Sequence, residues 1–230
     1  MDRNALEQLF NEQAHTYDSN WSKLALFKDA LHVLMKAQLQ TIPEKARFLC
    51  VGAGTGQEIV YLAQQFPHWH FTAVEPAFNM LEMCREQLNY HGLLNRCSLH
   101  HGYLDTLATT PAFDGASCLF VSHFLTDETE RMQLFEAIGK RLTSAGIFIN
   151  ADLMADKEVS TYAALMALWI NTIADAGASD EKLANIKSAY EKDVAILSTA
   201  KVAALIQAGG FKSAFPFFQS GLLGALVAMR

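Results

Sequence analysis

Between residues 47 and 154, short apolar runs of strand length are separated by longer segments of helical spacing. The runs are "RFLCVGAG", "HFTAVEP", "CSLHHGYL", a stretch inside "FDGASCLFVSHFL", and "IFINADLM". The intervening helical segments include "GQEIVYLAQQF", closed before Pro67, "FNMLEMCREQLNYHG" and "DETERMQLFEAIGKRLTSAG". Strands joined through helices pair in parallel, because the crossover returns the chain to the same end of the sheet. The alternation therefore predicts an α/β fold, a mostly parallel sheet with helices on both faces.

The flanks obey other rules. Residues 4 to 40 read as helical, with Leu24, Phe27, Leu31, Leu34 and Leu39 forming an apolar stripe that Pro43 ends. Residues 155 to 197 hold two consecutive helical segments, expected to lie as an insertion over one mouth of the sheet. The segment "STAKVAALIQAGGF" is a helix stopped at Gly209 and Gly210. Two final apolar strands, "KSAFPFF" and "LLGALVAMR", meet at "QSG", a link short enough only for antiparallel pairing. The expectation is seven strands in one domain over residues 1–230. It divides into an N-terminal helical cap (1–46), a cofactor-binding core (47–153), a helical insertion (154–197) and a C-terminal helix with antiparallel strands (198–230).

Composition narrows the function. A formal net charge of −6 without Lys/Arg runs suits phosphate backbones poorly, so no nucleic-acid partner is expected. The four cysteines lack Cys-x-x-Cys spacing and read as reduced thiols, not as a metal site. "MDRNALEQLF" is not a secretory signal, and no apolar stretch reaches membrane-spanning length; a cytoplasmic protein with no membrane partner is expected. The apolar insertion is a candidate surface for a homodimer.

The chemistry is concentrated at "FLCVGAGTGQEI", where Gly52, Gly54 and Gly56 follow an apolar run. Their Gly-x-Gly-x-Gly spacing departs from the Gly-x-Gly-x-x-Gly of dinucleotide sites, which weakens the case for a pyrophosphate. The loop still turns tightly and admits close backbone approach. Glu75 closes the second strand 19 residues after Gly56, near the spacing at which an acid meets ribose hydroxyls.

With "AVEPAFNML" behind it, "VGAGTG" resembles motifs I and II of the class I S-adenosylmethionine-dependent methyltransferases. The later "FDGASCLFVSHFL" and "RLTSAGIFINADL" resemble that family's fourth-strand and fifth-strand segments. The resemblance covers about residues 45–155 and implies a Rossmann-like, seven-stranded sheet that binds S-adenosylmethionine and releases S-adenosylhomocysteine. It implies cofactor contacts from Val51, Gly52, Ala53, Gly54 and Gly56, with Glu75 on the ribose and Pro76, Phe78 and Met80 shaping the adenine slot. Asp105 or Tyr103, with Leu104, would sit near the adenine amino group. Val121, Ser122 and His123 would face the methyl group and the substrate. "FNEQAHTYD" resembles a segment that folds over the cofactor, with Tyr17 as its contact. Where many nucleic-acid methyltransferases carry Asn-Pro-Pro-Tyr or Asp-Pro-Pro-Tyr, this chain has "VSHF".

His123 is the leading candidate for a general base, since it follows the fourth strand where open α/β sheets bind ligands and imidazole titrates near neutrality. Asp152, after the fifth strand, is second. Met154, Tyr162, Met166 and Trp169 either line a substrate pocket or form core. His100 and His101, adjacent on a strand, point to opposite faces and make no metal site. The expected reaction is methyl transfer to a small-molecule acceptor by in-line displacement. Two alternatives stand beside it: a carboxy-S-adenosylmethionine synthase-like enzyme, with Lys187 replacing an arginine that the insertion lacks, and a non-catalytic cofactor-binding module.

Overall fold

A computed structural model describes residues 2–109 and 112–230. At the N-terminus lie α1 (Arg3–Gln13), α2 (Tyr17–Asn20) and α3 (Ala25–Gln38). The core runs β1 (Arg47–Val51), α4 (Gln57–Gln65), β2 (His70–Glu75), α5 (Phe78–Tyr90), β3 (Cys97–His101), β4 (Phe113–Leu119), α6 (Glu128–Gly139) and β5 (Leu142–Leu153). After it come α7 (Tyr162–Ile173), α8 (Asp180–Asp193), α9 (Thr199–Ala208), β6 (Ser213–Ser220) and β7 (Leu223–Met229).

The seven strands form one sheet in the order β3-β2-β1-β4-β5-β7-β6. The first five are parallel, Val51 standing beside Val74 on one side and Cys118 on the other. β7 is antiparallel both to β5 and to the edge strand β6. This is the Rossmann-like, seven-stranded sheet with an antiparallel C-terminal pair that was expected. The chain reverses direction across the sheet between β1 and β4, and the crevice beyond their carboxyl ends is where such sheets bind ligands.

Packing explains why the strands are apolar runs. Phe48, Leu49 and Cys50 are fully buried, because α3, α4 and α5 cover one face of the sheet and α6 and α9 the other. A third cluster, Leu24 and Leu153 with Met166, Trp169 and Ile170, seals the insertion onto the mouth. Met166 and Trp169 are thereby core, and Met154 is buried against the sheet, so these side chains act in packing and do not line an open pocket. Among the described residues no helix is long and apolar enough to cross a membrane.

Two boundaries differ from the sequence expectation. The cap is not one helix from 4 to 40. It breaks twice between Gln13 and Ala25, where the Ser19 and Ser22 hydroxyls donate to the carbonyls of Thr16 and Ser19. Hydroxyls that bond their own backbone compete with the helical pattern. The segment "DETERMQLFEAIGKRLTSAG" also divides: its helix stops at Gly139, and Leu142 already pairs in β5 beside Phe113.

Candidate active site

The turn after β1 is built on glycine geometry. Gly52 has φ +69°, and a Cβ there would stand 2.4 Å from a Val121 methyl; Gly56 has φ +82° and backs onto Cys84. Both positions therefore need a residue without a side chain. The Gly52 and Ala53 amides both donate to the Val74 carbonyl, and Gly56 donates to Ala53. Those three donors are spent inside the turn, and a fourth, Gly54 N, on Glu75, so this part of the loop offers a ligand close backbone surface.

Glu75 is the polar centre of this crevice. It is 6% exposed, and its two carboxylate oxygens accept from Gly54 N and Ala77 N, each at 2.9 Å. Burial pushes its carboxyl up from the ordinary value, while the two amides pull the other way. The amides fix the plane of the carboxylate and leave its remaining lone pairs toward the cavity.

That cavity holds about 400 Å³, near the lower end of the roughly 300–1,000 Å³ of small-molecule sites. Its walls include Tyr17, Val51, Gly52, Gly54, Glu75, Pro76, Met80, Tyr103, Leu104, Asp105 and Val121, eleven of the residues expected at the cofactor. The wall is largely apolar, and among its charged side chains acids predominate, Glu7, Glu75, Asp105 and Glu130 against Arg3. An apolar wall with an excess of acids suits a cationic ligand that also carries apolar surface. Ala53, Gly56 and Ser122 are not brought to the wall; Ala53 and Ser122 are buried, and Gly56 caps α4. Phe78, half exposed, packs against His101 and does not line the cavity either.

The cap closes the cavity from above. Phe10 and Tyr17 line it, and the Tyr17 hydroxyl is held far toward its neutral form by burial and then by Glu75. Polar contacts hold the cap over the cavity, among them Thr55 Oγ1 donating to Asp18 at 2.8 Å, Asn79 N to Asn11 at 2.8 Å, Arg3 to Asp105 at 3.2 Å and the Tyr103 hydroxyl to the Arg3 carbonyl at 3.0 Å.

Behind the wall, at the carboxyl ends of β4 and β5, lies a buried polar network. His123 Nδ1 stands 3.1 Å from Asp152 Oδ1 and 3.3 Å from Leu153 N. The Leu153 amide donates to Nδ1, and Asp152 Oδ1 stands beside the same nitrogen, so both contacts converge on one side of the ring. The Phe124 ring, 4.5 Å away, separates His123 from the cavity. Asp152 is fully buried and also accepts from Ser122 Oγ, Asn150 Nδ2 and Arg131 Nη2. Burial would raise its carboxyl, but Arg131 and then His123 hold it well below the usual carboxylate range. So enclosed, Asp152 orients its neighbours and does not itself face the cavity.

Sequence reasoning missed Arg131 and Phe120. Phe120 takes φ +58° on the cavity wall, a strained conformation for a side-chain-bearing residue and a common mark of a functional edge. Lys187 is an exposed residue paired with Glu191 on α8 and does not line the cavity, which gives the carboxylated-cofactor reading no support.

Residues 48–146 match the family model described as a methyltransferase domain. No curated protein is significantly similar in sequence. Among solved structures, an O-methyltransferase candidate from Nostoc punctiforme PCC 73102 superposes with TM-score 0.69 at 15% identity, over 96% of this chain and 60% of that one. An O-methyltransferase family 2 protein from Planctomyces limnophilus DSM 3776, in complex with apigenin, gives 0.64 at 15% identity, over 100% of this chain and 62% of that one. PigF, solved with S-adenosylhomocysteine, gives 0.60 at 16% identity, over 80% and 50% respectively. The chain thus spans about 60% of the length of the first of these relatives.

Residues 48–146 are thus similar to a methyltransferase domain, and the strand order of the sheet agrees with the fold of the solved neighbours. The cavity beside the glycine turn, its excess of acidic side chains and the oriented Glu75 fit S-adenosylmethionine as a cofactor.

Proposed function

We propose that this chain is a methyltransferase that moves a methyl group from S-adenosylmethionine to a hydroxyl of a small molecule. The observation that carries the reading is Glu75, held by two amides at the floor of the cavity beside the glycine turn. In this reading Glu75 accepts from the ribose hydroxyls, Met80 and Leu104 flank the adenine near Tyr103 and Asp105, and Gly52 and Gly54 lie under the methionine part. Tyr17 closes over it from the cap. Residues 1–46 serve as lid and 154–197 as roof of the acceptor site.

The cofactor supplies a methyl group on a charged sulfur that is already a good leaving group. The protein's work is alignment and the exclusion of water, which can supply up to about 7–11 kcal/mol of such a barrier. A hydroxyl acceptor must also lose its proton, and His123, with Nε2 unbonded and Nδ1 tied to Asp152, is our base. Phe124 has to turn aside for an acceptor to reach it. The apigenin-bound relative supports an aromatic hydroxyl acceptor.

A net charge of −6 supports an acceptor other than nucleic acid, and four unpaired cysteines support a cytoplasmic setting. Exposed Leu168 and Val159 on the insertion support its use as a homodimer surface, which light scattering would test.

The deciding experiment is mass spectrometry of ligand released from purified protein, followed by titration with S-adenosylhomocysteine and a screen of hydroxylated aromatic acceptors. Binding with methylated product is expected. Failure to bind either form of the cofactor would overturn the proposal. A released species heavier by one carbon dioxide would replace it with the carboxylated-cofactor reading.

A further inference from the structure

Arg131 is fully buried on α6, in a segment whose neighbours in sequence are charged and exposed. Its guanidinium makes three contacts on three elements. Nη2 donates to Asp152 Oδ2 at 2.7 Å, Nε to Ser122 Oγ at 3.0 Å, and Nη1 to the Ala195 carbonyl at 3.0 Å. Ala195 stands where the chain returns from α8, and its own amide donates to the His123 carbonyl at 2.7 Å. One side chain thus spans the end of β5, the turn after β4 and the end of the helical insertion.

The consequence falls on His123. Asp152 has two oxygens with separate tasks: Oδ2 is taken by Arg131, Ser122 and Asn150, while Oδ1 is left for the His123 amide and Nδ1. A carboxylate free to rotate would offer either oxygen, or bridge the ring and the insertion differently. The rigid planar fork of arginine removes that freedom. It also balances the charge of the carboxylate, which is fully buried. The other groups near the pair add no charge. They are the Phe124 ring, the main chain of Ala195 and Leu153, and the Cys118 thiol, which burial keeps neutral.

We propose that Arg131 is a positioning residue that fixes the Asp152 carboxylate on Nδ1 of His123 and ties that pair to the return of the insertion at Ala195. It never touches a substrate. Its value to catalysis rests on the reading of His123 as base, but its action on the imidazole does not.

The test needs no acceptor. In 15N-labelled protein without added ligand, the His123 imidazole is expected to show a single fixed ring state, with one pair of 15N shifts. Arg131→Met is expected to convert it to a mixture of ring states, with both 15N shifts moved. The same spectrum as the native protein, in a folded Arg131→Met variant, would overturn the proposal. Should Arg131→Met fail to fold, Arg131→Lys decides, since it keeps the charge but cannot span all three contacts. There the Ala195 amide should exchange about tenfold faster or more, with the His123 ring states mixed. Native exchange and a native spectrum would overturn it. If Arg131 governs the ring state while His123→Ala retains turnover, the base assignment fails and the positioning role stands.

Discussion

Replacing Glu75 isolates the contact on which cofactor recognition depends. Both of its oxygens already accept from backbone amides at 2.9 Å, so a ribose diol meets a carboxylate that cannot swing away. Hydrogen bonds to a charged group contribute about 1.5–3 kcal/mol each. Losing two at the lower limit is about 3 kcal/mol, or roughly a hundredfold in affinity. Water replacing the side chain recovers part of this, so Glu75→Ala should weaken S-adenosylhomocysteine binding by about tenfold to a hundredfold. The geometry makes a sharper statement about Glu75→Gln. One end of an amide carries hydrogens, and whichever way it is turned those hydrogens meet Gly54 N–H or Ala77 N–H. The near-isosteric change should therefore cost about as much as alanine. Affinity should also fall on acidification, because protonation removes an acceptor. The decline should begin above the ordinary carboxylate range, since burial has raised this group. Calorimetric titration of both variants measures all of this. Affinities within about threefold of native, in variants with native unfolding curves, would refute the ribose assignment.

Glu58 yields a prediction independent of function. It is buried on α4, receives one hydrogen bond from Ser117, has a bare second oxygen, and is pushed by burial to about 7. The unfolded chain ionises near the ordinary value while the folded chain holds the proton, so stability is lost as pH rises between those two values. The loss approaches about 3 kcal/mol above neutrality. Glu58→Gln should stabilise the protein in urea at pH 8 and change little at pH 4; an equal effect at both would exclude the linkage. His123→Ala should slow turnover while leaving S-adenosylhomocysteine affinity near native, and equal losses in both would remove it as a base. Gly52→Ala should abolish cofactor binding, because its methyl would enter the space of Val121 from a strained backbone. Native affinity in that variant would show the turn to be more compliant than its geometry indicates.

The centre of the sheet was legible because strands such as β1 and β7 are buried on both faces, and burial on both faces writes itself as an unbroken apolar run. Glu75 was legible because a carboxylate ending such a run, one helix beyond a glycine turn, has few structural reasons to be there. The breaks in the cap were not. The spacing of Leu24, Phe27 and Leu31 describes which face is buried, and says nothing of serines that turn the backbone a few residues earlier. Arg131 was the least legible residue of the site. It sits in "DETERMQ", which reads as a solvated helical face, and the partners that bury it are the carboxylate of Asp152, the hydroxyl of Ser122 and a carbonyl at Ala195. No local pattern encodes that convergence. The register of β4 against β5 brings Asp152 near Ser122, and the return of the insertion adds Ala195.

The cap contacts have a kinetic meaning. Asp18, Asn11 and Arg3 bond to the glycine turn, the start of α5 and the segment after β3, so the N-terminal residues lie across the cavity's exit. Under the proposed function, a nucleoside held there is expected to enter and to leave as those contacts part. Association and dissociation then share one gate. Weakening the gate, as in Asp18→Ala, would speed both by similar factors and leave the equilibrium constant nearly unchanged. Stopped-flow rates beside a calorimetric Kd would distinguish this from an ordinary lost contact, which appears almost wholly in the off-rate. The residence time of the spent cofactor, and with it the ceiling on turnover, would be set by the N-terminal twenty or so residues and not by the side chains that recognise the ligand.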